Sequence, residues 1–250
     1  MDQVLNDINF NNYVVVGVSS GPDSMCLLDL LEKKTNKIVV CHINHNIRKE
    51  SITEENYIKE YCKNHKLIFE SMTIKEYKEN NFENEARKIR YNFYEKILKK
   101  YNSNKLFLAH HGDDLMETVL MRIVRGSNLN GYSGFKNVVD MDTYKIVRPL
   151  VHYTKEELHQ YDIDNNVKYY VDSSNDKDKY TRNRYRKYVL PYLKKEEKDV
   201  HLKFLKFSDT LNEAKKFIEK ETDKAIKRVF DKEKLIVDKF LLEGEFIQRE

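Results

Sequence analysis

Residues 13–31 read YVVVGVSSGPDSMCLLDLL, and the three parts of this stretch decide the fold. Tyr13 to Val18 is an apolar, β-branched run of strand length. Ser19-Ser20-Gly21-Pro22-Asp23-Ser24 is a turn of small, polar residues. Met25 to Leu31 begins an apolar helix. Pro22 suits its first turn, where a backbone N–H would have no intrahelical partner. A strand, a small-residue turn and a helix N-terminus together make an anion site, because the turn's N–H groups and the positive end of the helix converge on one place. Gly21 and the serines let a phosphate approach the backbone, and Ser19, Ser20 and Ser24 carry hydroxyl donors. No Gly-Lys-Ser/Thr closes the turn, so it is not a Walker loop. The plainer alternative is an ordinary turn between strand and helix at a sheet edge.

Beyond this stretch, strands and helices alternate. Lys37–Ile43 (KIVVCHI), Leu67–Ile74 and Lys105–Ala109 (KLFLA) read as strands, and Lys145–Val147 as a short fifth one. Between them, Ser51 with Glu54 forms a capping-box pattern for a helix towards Asn64. Phe82–Tyr101 places Phe82, Ala86, Ile89, Phe93, Ile97 and Leu98 near one helical face. Asp114–Val124 is a helix ending at Arg125-Gly126; Gly131–Gly134 is a loop; and Thr154 with Glu157 caps a helix to about Asn165. The spacing predicts an α/β fold, a parallel sheet with helices on both faces. Ligands then sit at the carboxyl ends of the strands. The Ser19–Ser24 turn, the polar His42–Arg48 loop (HINHNIR) and the turn at Ala109–Asp114 (AHHGDD) should therefore share one rim.

The chain has 250 residues, enough for one large domain plus an appendage. Its net charge of +4 is mildly basic and compatible with an RNA partner. Cys26, Cys41 and Cys62 form no C-x-x-C pair, so neither a zinc knuckle nor a redox pair is indicated, and a reduced cytoplasmic setting is expected. No signal peptide and no apolar stretch of the ~20 residues a membrane span needs is visible. Composition shifts near Lys194: residues 194–250 contain no proline and only Gly244. Leu202, Leu205, Phe207, Leu211, Ala214, Phe217 and Ile218 suit an amphipathic helix there. The domain reading is 1–193 and a small helical region 194–250.

Three further stretches could carry chemistry. In AHHGDDLMET, His110 and Asp114 are four apart, and Asp114 and Glu117 three apart. Carboxylates at the mouth of a parallel sheet are where Mg2+ would sit beside a bound triphosphate; a solvated helix cap with incidental histidines, or a zinc site, are the alternatives. On the long helix, Arg87 and Arg90 could present guanidinium groups to phosphate, or merely pair with Glu83 or Glu95. Asp172-Ser173-Ser174-Asn175, followed by Tyr180-Thr181-Arg182-Asn183-Arg184-Tyr185-Arg186, combines arginines for phosphate with aromatic rings for an unpaired base; a basic helix surface is the alternative. Arg122 and Arg125 carry less weight, since arginine in a last helical turn also complements the dipole.

The first turn resembles the SGGxDS signature of PP-loop ATP pyrophosphatases, with Ser20 where that family has its first glycine. SSGPDS, CHINHNIRKES, ENEARKIRY, LAHHGDDLMETVLMRIVRGSNLNGYSGF, IVRPL and VDSSNDKDKYTRNRYRKYVLPYL, in this order from Tyr13 to Leu193, are similar to the tRNA(Ile)-lysidine synthetases. The AHH-x-DD-x-x-ET…RG and D-x-SN…RNR-x-R blocks separate them from other PP-loop enzymes. Residues from Lys194 onward carry no such likeness, and the longer C-terminal tRNA-binding domains of many members have no counterpart in this sequence.

The resemblance implies a two-step ligation. ATP activates carbon 2 of the wobble cytidine of an isoleucine tRNA with a CAU anticodon, releasing pyrophosphate. The ε-amine of free lysine then displaces AMP. It further implies that Ser19 to Ser24 hold ATP, that Asp23 and Asp114, with Glu117 as a further candidate, position Mg2+, and that His110, Arg87 or Arg90, and an arginine of Arg182–Arg186, with Arg182 foremost, act on the reacting groups. Asp114 or Glu117 would serve the incoming amine. A homodimer is compatible with the resemblance, and a membrane is not implied. Two other readings remain: a PP-loop tRNA thiolase, which commonly needs cysteine pairs, and a non-catalytic RNA-binding module.

Overall fold

The computed structural model describes residues 1, 3–46, 50–75, 77, 82–170, 180–231, 234–245 and 247. The run VVVG becomes β1 (Val14–Gly17), central in a six-stranded sheet. Its side chains alternate between two cores. Val14 and Val16 pack with Met25, Leu27 and Leu28 of α1 (Pro22–Glu32) and with Leu158 of α6 (Lys155–Asp164). Val15 faces Phe93, Tyr94 and Ile97 of α3 (Phe82–Lys100). In β2 (Ile38–Asn44), Ile38 and Val40 join the first core, Val39 and Cys41 the second. That period of two with both faces apolar is why these strands read as continuous hydrophobic runs.

The sheet order is β3 (Ile68–Thr73), β2, β1, β4 (Lys105–Phe107), β6 (Lys145–Val147), β5 (Val138–Asp140). All pairs are parallel except β5 with β6. From β1 the chain winds outward through β2 and β3, then returns to β4 on the other side of β1. The switch of direction lies between β1 and β4, so the crevice for a ligand opens where the loops after those strands diverge.

The expected fold class holds, with local corrections. β5 is an antiparallel edge strand that was not anticipated. Its residues are exposed or half-exposed, and they lack the apolar alternation that marks a strand. β2 includes His42 and Ile43, as the strand expected over Lys37–Ile43 requires, and runs one residue further to Asn44, so the polar loop starts later than His42; His42 is buried and its Nδ1 lies 2.9 Å from the Val18 carbonyl. Ile47 and Arg48 of that loop lie outside the described residues. The helix α2 (Glu50–Asn64) starts one residue before Ser51, so Ser51 sits inside the first turn and does not cap it. Within the loop expected at Gly131–Gly134, Gly131 belongs to a short helix, α5 (Leu129–Tyr132). The Thr154 box forms: Thr154 Oγ1 accepts from Glu157 N at 3.2 Å, and Glu157 Oε2 accepts from Thr154 N at 2.7 Å. The helix α4 (Gly112–Arg125) ends at Gly126 with φ +70°.

After the sheet come α7 (Thr181–Arg184), a π-helical turn (Tyr185–Val189), α8 (Leu190–Glu196) and α9 (Val200–Val229), then a hairpin of β7 (Phe230–Asp231) and β8 (Lys234–Leu235), and α10 (Val237–Leu241). The first turns of α9 pack on α4 through Val200 with Met116 and Leu205 with Leu115 and Val119. The stripe expected on α9 is only partly the contact face. Phe207 and Phe217 are exposed, while Ser208 and Asn212 are buried. Ser208 Oγ donates to the Ser133 carbonyl, so a polar contact, invisible to a hydrophobicity count, seats this part of the helix. Among the described residues no helix is long and apolar enough to cross a membrane.

Candidate active site

The Ser19–Ser24 turn is set by its own hydrogen bonds. Ser24 Oγ accepts from Ser19 N at 3.1 Å and donates to the Gly21 carbonyl at 2.9 Å. Ser19 Oγ lies 3.2 Å from the same hydroxyl. Ser24 thus braces the loop from within, leaving Ser19 as the exposed hydroxyl. Ser20 is buried with φ +70°. This left-handed conformation favours glycine, and it explains why glycine is the family residue here. The Ser20 carbonyl accepts from Tyr170 N at 2.9 Å, tying the loop to the chain beyond α6. Gly21 itself has ordinary extended geometry (φ −72°, ψ 162°). Just upstream, a Cβ on Gly17 would come within 2.5 Å of Tyr94 Oη, so this glycine is demanded by close packing of α3 under the loop.

Asp23 follows Pro22 in the first turn of α1 and meets the second loop through His111. His111 Nε2 lies 3.7 Å from Asp23 Oδ2 and 3.5 Å from Asp114 Oδ2, and the imidazole is almost wholly buried. Asp114 Oδ2 also accepts from His111 N at 3.2 Å. Burial pushes the Asp23 carboxyl above its ordinary range, with His111 opposing and Asp114 reinforcing. Burial would push Asp114 up as well, but His111, His110, Arg186 and the His111 N–H outweigh it and hold Asp114 below the usual range.

Arg186 closes the cluster from the π-helical turn. Its Nε donates to Glu117 Oε1 at 2.7 Å, and its Nη2 reaches Glu117 Oε2 and Asp114 Oδ1, each at 3.3 Å. Arg182, one helical turn earlier and half-exposed, approaches Glu117 Oε2 at 3.5 Å. Glu117 is fully buried; burial raises its pKa, Arg186 pulls it back, and the net shift is upward. A second brace holds the next helix: Lys194 Nζ lies 2.6 Å from buried Asp113 Oδ2, which also accepts from Lys155 N at 3.3 Å.

Of the sequence-derived candidates, the structure gathers Ser19 to Ser24, Asp23, Asp114, Glu117 and Arg182 on one rim. His110 is beside it, half-buried, 5.4 Å from the Phe135 ring. Burial, opposed by Asp114 and helped by Arg148 and Arg90, drives its pKa down to about 4, so it is neutral at pH 7. Arg87 is exposed over Tyr91, and no hydrogen bond or ion pair among the described residues ties it to the rim. Arg122 is structural, donating to the Gly131 and Gly134 carbonyls. Asp172 to Asn175 lie outside the described residues. The sequence left His111 of this cluster without a role and did not single out Arg186 among the arginines of Arg182–Arg186. His111 looked equivalent to its neighbour, but in the turn from strand to helix adjacent side chains diverge. Arg186 was one of three arginines in the motif, and only the helix phase selects it.

Asp23 Oδ1 is buried without a hydrogen-bond partner among the described residues. An orphaned carboxylate oxygen beside a second carboxylate and an anion-accepting turn is the donor chemistry that fits Mg2+ with a nucleotide. The sequence profile of the PP-loop domain matches residues 1–193. The chain belongs to the PP-loop family. Curated tRNA(Ile)-lysidine synthases from Bacillus subtilis and Bacillus anthracis are 40 % and 41 % identical to it over 225 and 229 residues, 86 % and 88 % of this chain but 48 % of each relative. The chain thus spans about half the length of these relatives. The U34-tRNA thiolase NcsA of Methanococcus maripaludis superposes with a TM-score of 0.70 over 84 % of this chain and 76 % of its own, at 16 % identity, which speaks for the shared fold alone. In this PP-loop protein the three cysteines sit at separate core positions, and burial pushes each thiol up, away from the thiolate that sulfur transfer needs.

Proposed function

We propose that this chain is the catalytic part of a tRNA(Ile)-lysidine synthetase. It ligates free lysine to carbon 2 of the wobble cytidine of an isoleucine tRNA with a CAU anticodon, at the expense of ATP. The observation that carries the reading is the position of His111 between Asp23 and Asp114, at the crevice between β1 and β4, within a chain about 40 % identical to curated lysidine synthases. Residues 1–193 form the ATP-binding and catalytic unit, and residues 194–250 a helical region whose first turns buttress it.

Backbone N–H groups of the Ser19–Ser24 turn and the α1 N-terminus receive the phosphates. Asp23 and Asp114 would hold Mg2+, which would neutralise the triphosphate charge when bound. Activation forms a bond between the cytidine's carbon 2 oxygen and the α-phosphorus and breaks the α–β phosphoanhydride, releasing pyrophosphate. Arg182, half-exposed and only loosely paired, can swing to the charge that develops on the nucleotide. Arg186 keeps Glu117 and Asp114 in place. Of these two carboxylates only Asp114 keeps some exposure, so Asp114 would bind the ammonium of the incoming lysine and accept a proton so that the amine attacks neutral. Attack at carbon 2 expels AMP. His110, neutral at pH 7, contacts the base or a phosphate as hydrogen-bond partner.

The test is pyrophosphate release with ATP and transcribed isoleucine tRNA, followed by mass analysis of the nucleosides after lysine is added. Release that requires tRNA and a cytidine heavier by one condensed lysine is expected. Release that responds to a sulfur donor and not to lysine would assign the chain to sulfur transfer, and RNA binding without release would make it a non-catalytic module.

A further inference from the structure

The basic segment after residue 180 has two faces, and the catalytic reading uses only one. Arg182 and Arg186, four apart, turn towards Glu117. Tyr185 is half-buried among Met116, Leu190 and Val200, so it is a packing residue and not the stacking ring that the motif suggested. On the outer face Arg184, Tyr188, Tyr192 and Lys195 follow at steps of four, four and three, a single helical stripe. Tyr188 and Tyr192 are 56 % and 65 % exposed, far more than a tyrosine kept for packing. Lys187 places its ammonium 5.1 Å over the Tyr188 ring. The π-helical turn Tyr185–Val189 lies between the two faces, and such widened turns recur where a helix must present side chains for function.

Resting on the tRNA reading above, we infer that Tyr188 and Tyr192 form a stacking platform for unpaired RNA bases that flank the reacting cytidine. Two flat, exposed rings one turn apart match the faces of successive unpaired bases, which stack without regard to sequence. Arg184, Lys187 and Lys195 supply the positive charge that a single strand's phosphates need. A lipid surface would ask for aliphatic side chains beside the rings, and the stripe has none. The platform lies across one helix from Arg186, roughly 10 Å, a span that nucleotides adjoining the reacting base bridge. Because the same helix carries Arg186, a base stacked on the outside fixes the rim against which the cytidine is held.

The probe is a CAU anticodon stem–loop RNA, with a blunt duplex of equal length as control, titrated against the protein by fluorescence anisotropy. Tyr188→Ala or Tyr192→Ala should weaken stem–loop binding about 5-fold each, and the pair about 30-fold. Tyr188→Phe and Tyr192→Phe should bind like the parent, since the ring and not the hydroxyl stacks. Duplex affinity and ATP-analogue binding should stay unchanged, which also reports that the variants are folded. A paired alanine variant that binds the stem–loop within 2-fold of the parent overturns the platform, as does equal weakening for stem–loop and duplex. A parent protein that releases pyrophosphate normally while this happens leaves the ligase reading standing. A parent that neither binds the stem–loop nor releases pyrophosphate removes both.

Discussion

The corners after β1 and β4 are both turns from strand to helix, yet they are held by opposite means. The first is shaped mostly from within: the Ser24 hydroxyl ties Ser19 N to the Gly21 carbonyl, a single backbone bond from Tyr170 N to the Ser20 carbonyl reaches it from afar, and Asp23 Oδ1 is left without a partner among the described residues. The second is set from afar. Asp113 and Asp114 are gripped by Lys194 and Arg186, about seventy to eighty residues later in the chain. A locally built loop keeps its shape whatever enters it, which suits a phosphate cradle. A remotely braced corner keeps its shape only while the basic helix is docked. Under the proposed function, the contrast means that nucleotide binding and base activation should be separable by substitution.

Asp23→Asn gives the largest expected effect. It removes half of the carboxylate pair and should lower tRNA-dependent pyrophosphate release about 10³-fold. Because burial raises the Asp23 pKa, the charged form is disfavoured in the folded protein. The variant should therefore melt no lower than the parent at pH 7, and any gain should shrink as pH falls through the carboxylate range, where the parent's own Asp23 protonates. A variant that melts far below the parent would show that Asp23 supports the fold and not the chemistry.

Arg186→Ala addresses the second corner. It strands the fully buried Glu117 without its main cation and should cost about 3 kcal/mol of stability, read by denaturant melts. Adding Glu117→Gln should return most of that stability while activity stays lost. If the single variant binds an ATP analogue as the parent does, the two corners are independent in the way the contrast requires.

Asp162→Asn tests how α6 loads the first corner. Asp162 is buried, and both its carboxylate oxygens lack partners among the described residues; burial, then the charges of Asp23 and Asp29, push its pKa up to about 7. An acid raised in this way costs no stability below its unfolded value. The cost grows as pH rises and is complete above about 7. Asparagine should thus raise Tm clearly more at pH 8 than at pH 5, with the gain vanishing only below about pH 4. Equal shifts at both would mean the carboxylate is not protonated on folding.

How much of this was legible beforehand follows from where the information resides. β1, β2 and α1 were readable because each is a dense apolar run with one period. The rim was readable because topology alone brings the loops after β1 and β4 together. β5 was not, since three residues at an exposed edge leave no pattern. Neither was the choice of His111 over His110 or of Arg186 over Arg182, because each depends on side-chain direction at a turn or on helix phase. The face of α9 was misjudged for a different reason: its seat is a hydroxyl on a carbonyl, Ser208 to Ser133, and hydrophobicity does not encode that.

The smallest effect concerns the family's missing glycine. Ser20 holds φ +70°, a conformation that costs a residue with a side chain about 1–2 kcal/mol and glycine almost nothing. The loop is nonetheless closed by bonds that do not involve the Ser20 side chain: Ser19 N to Ser24, Ser24 to the Gly21 carbonyl, and Tyr170 N to the Ser20 carbonyl. Ser20→Gly should then leave pyrophosphate release within about 2-fold, because relieving the strain offsets the greater freedom of the unfolded glycine chain. Ser20→Val should lose stability and ATP binding together, since a β-branched residue resists positive φ most. If valine were tolerated as well as glycine, the left-handed backbone at this position would not be what shapes the cradle, and the first corner would not be locally built.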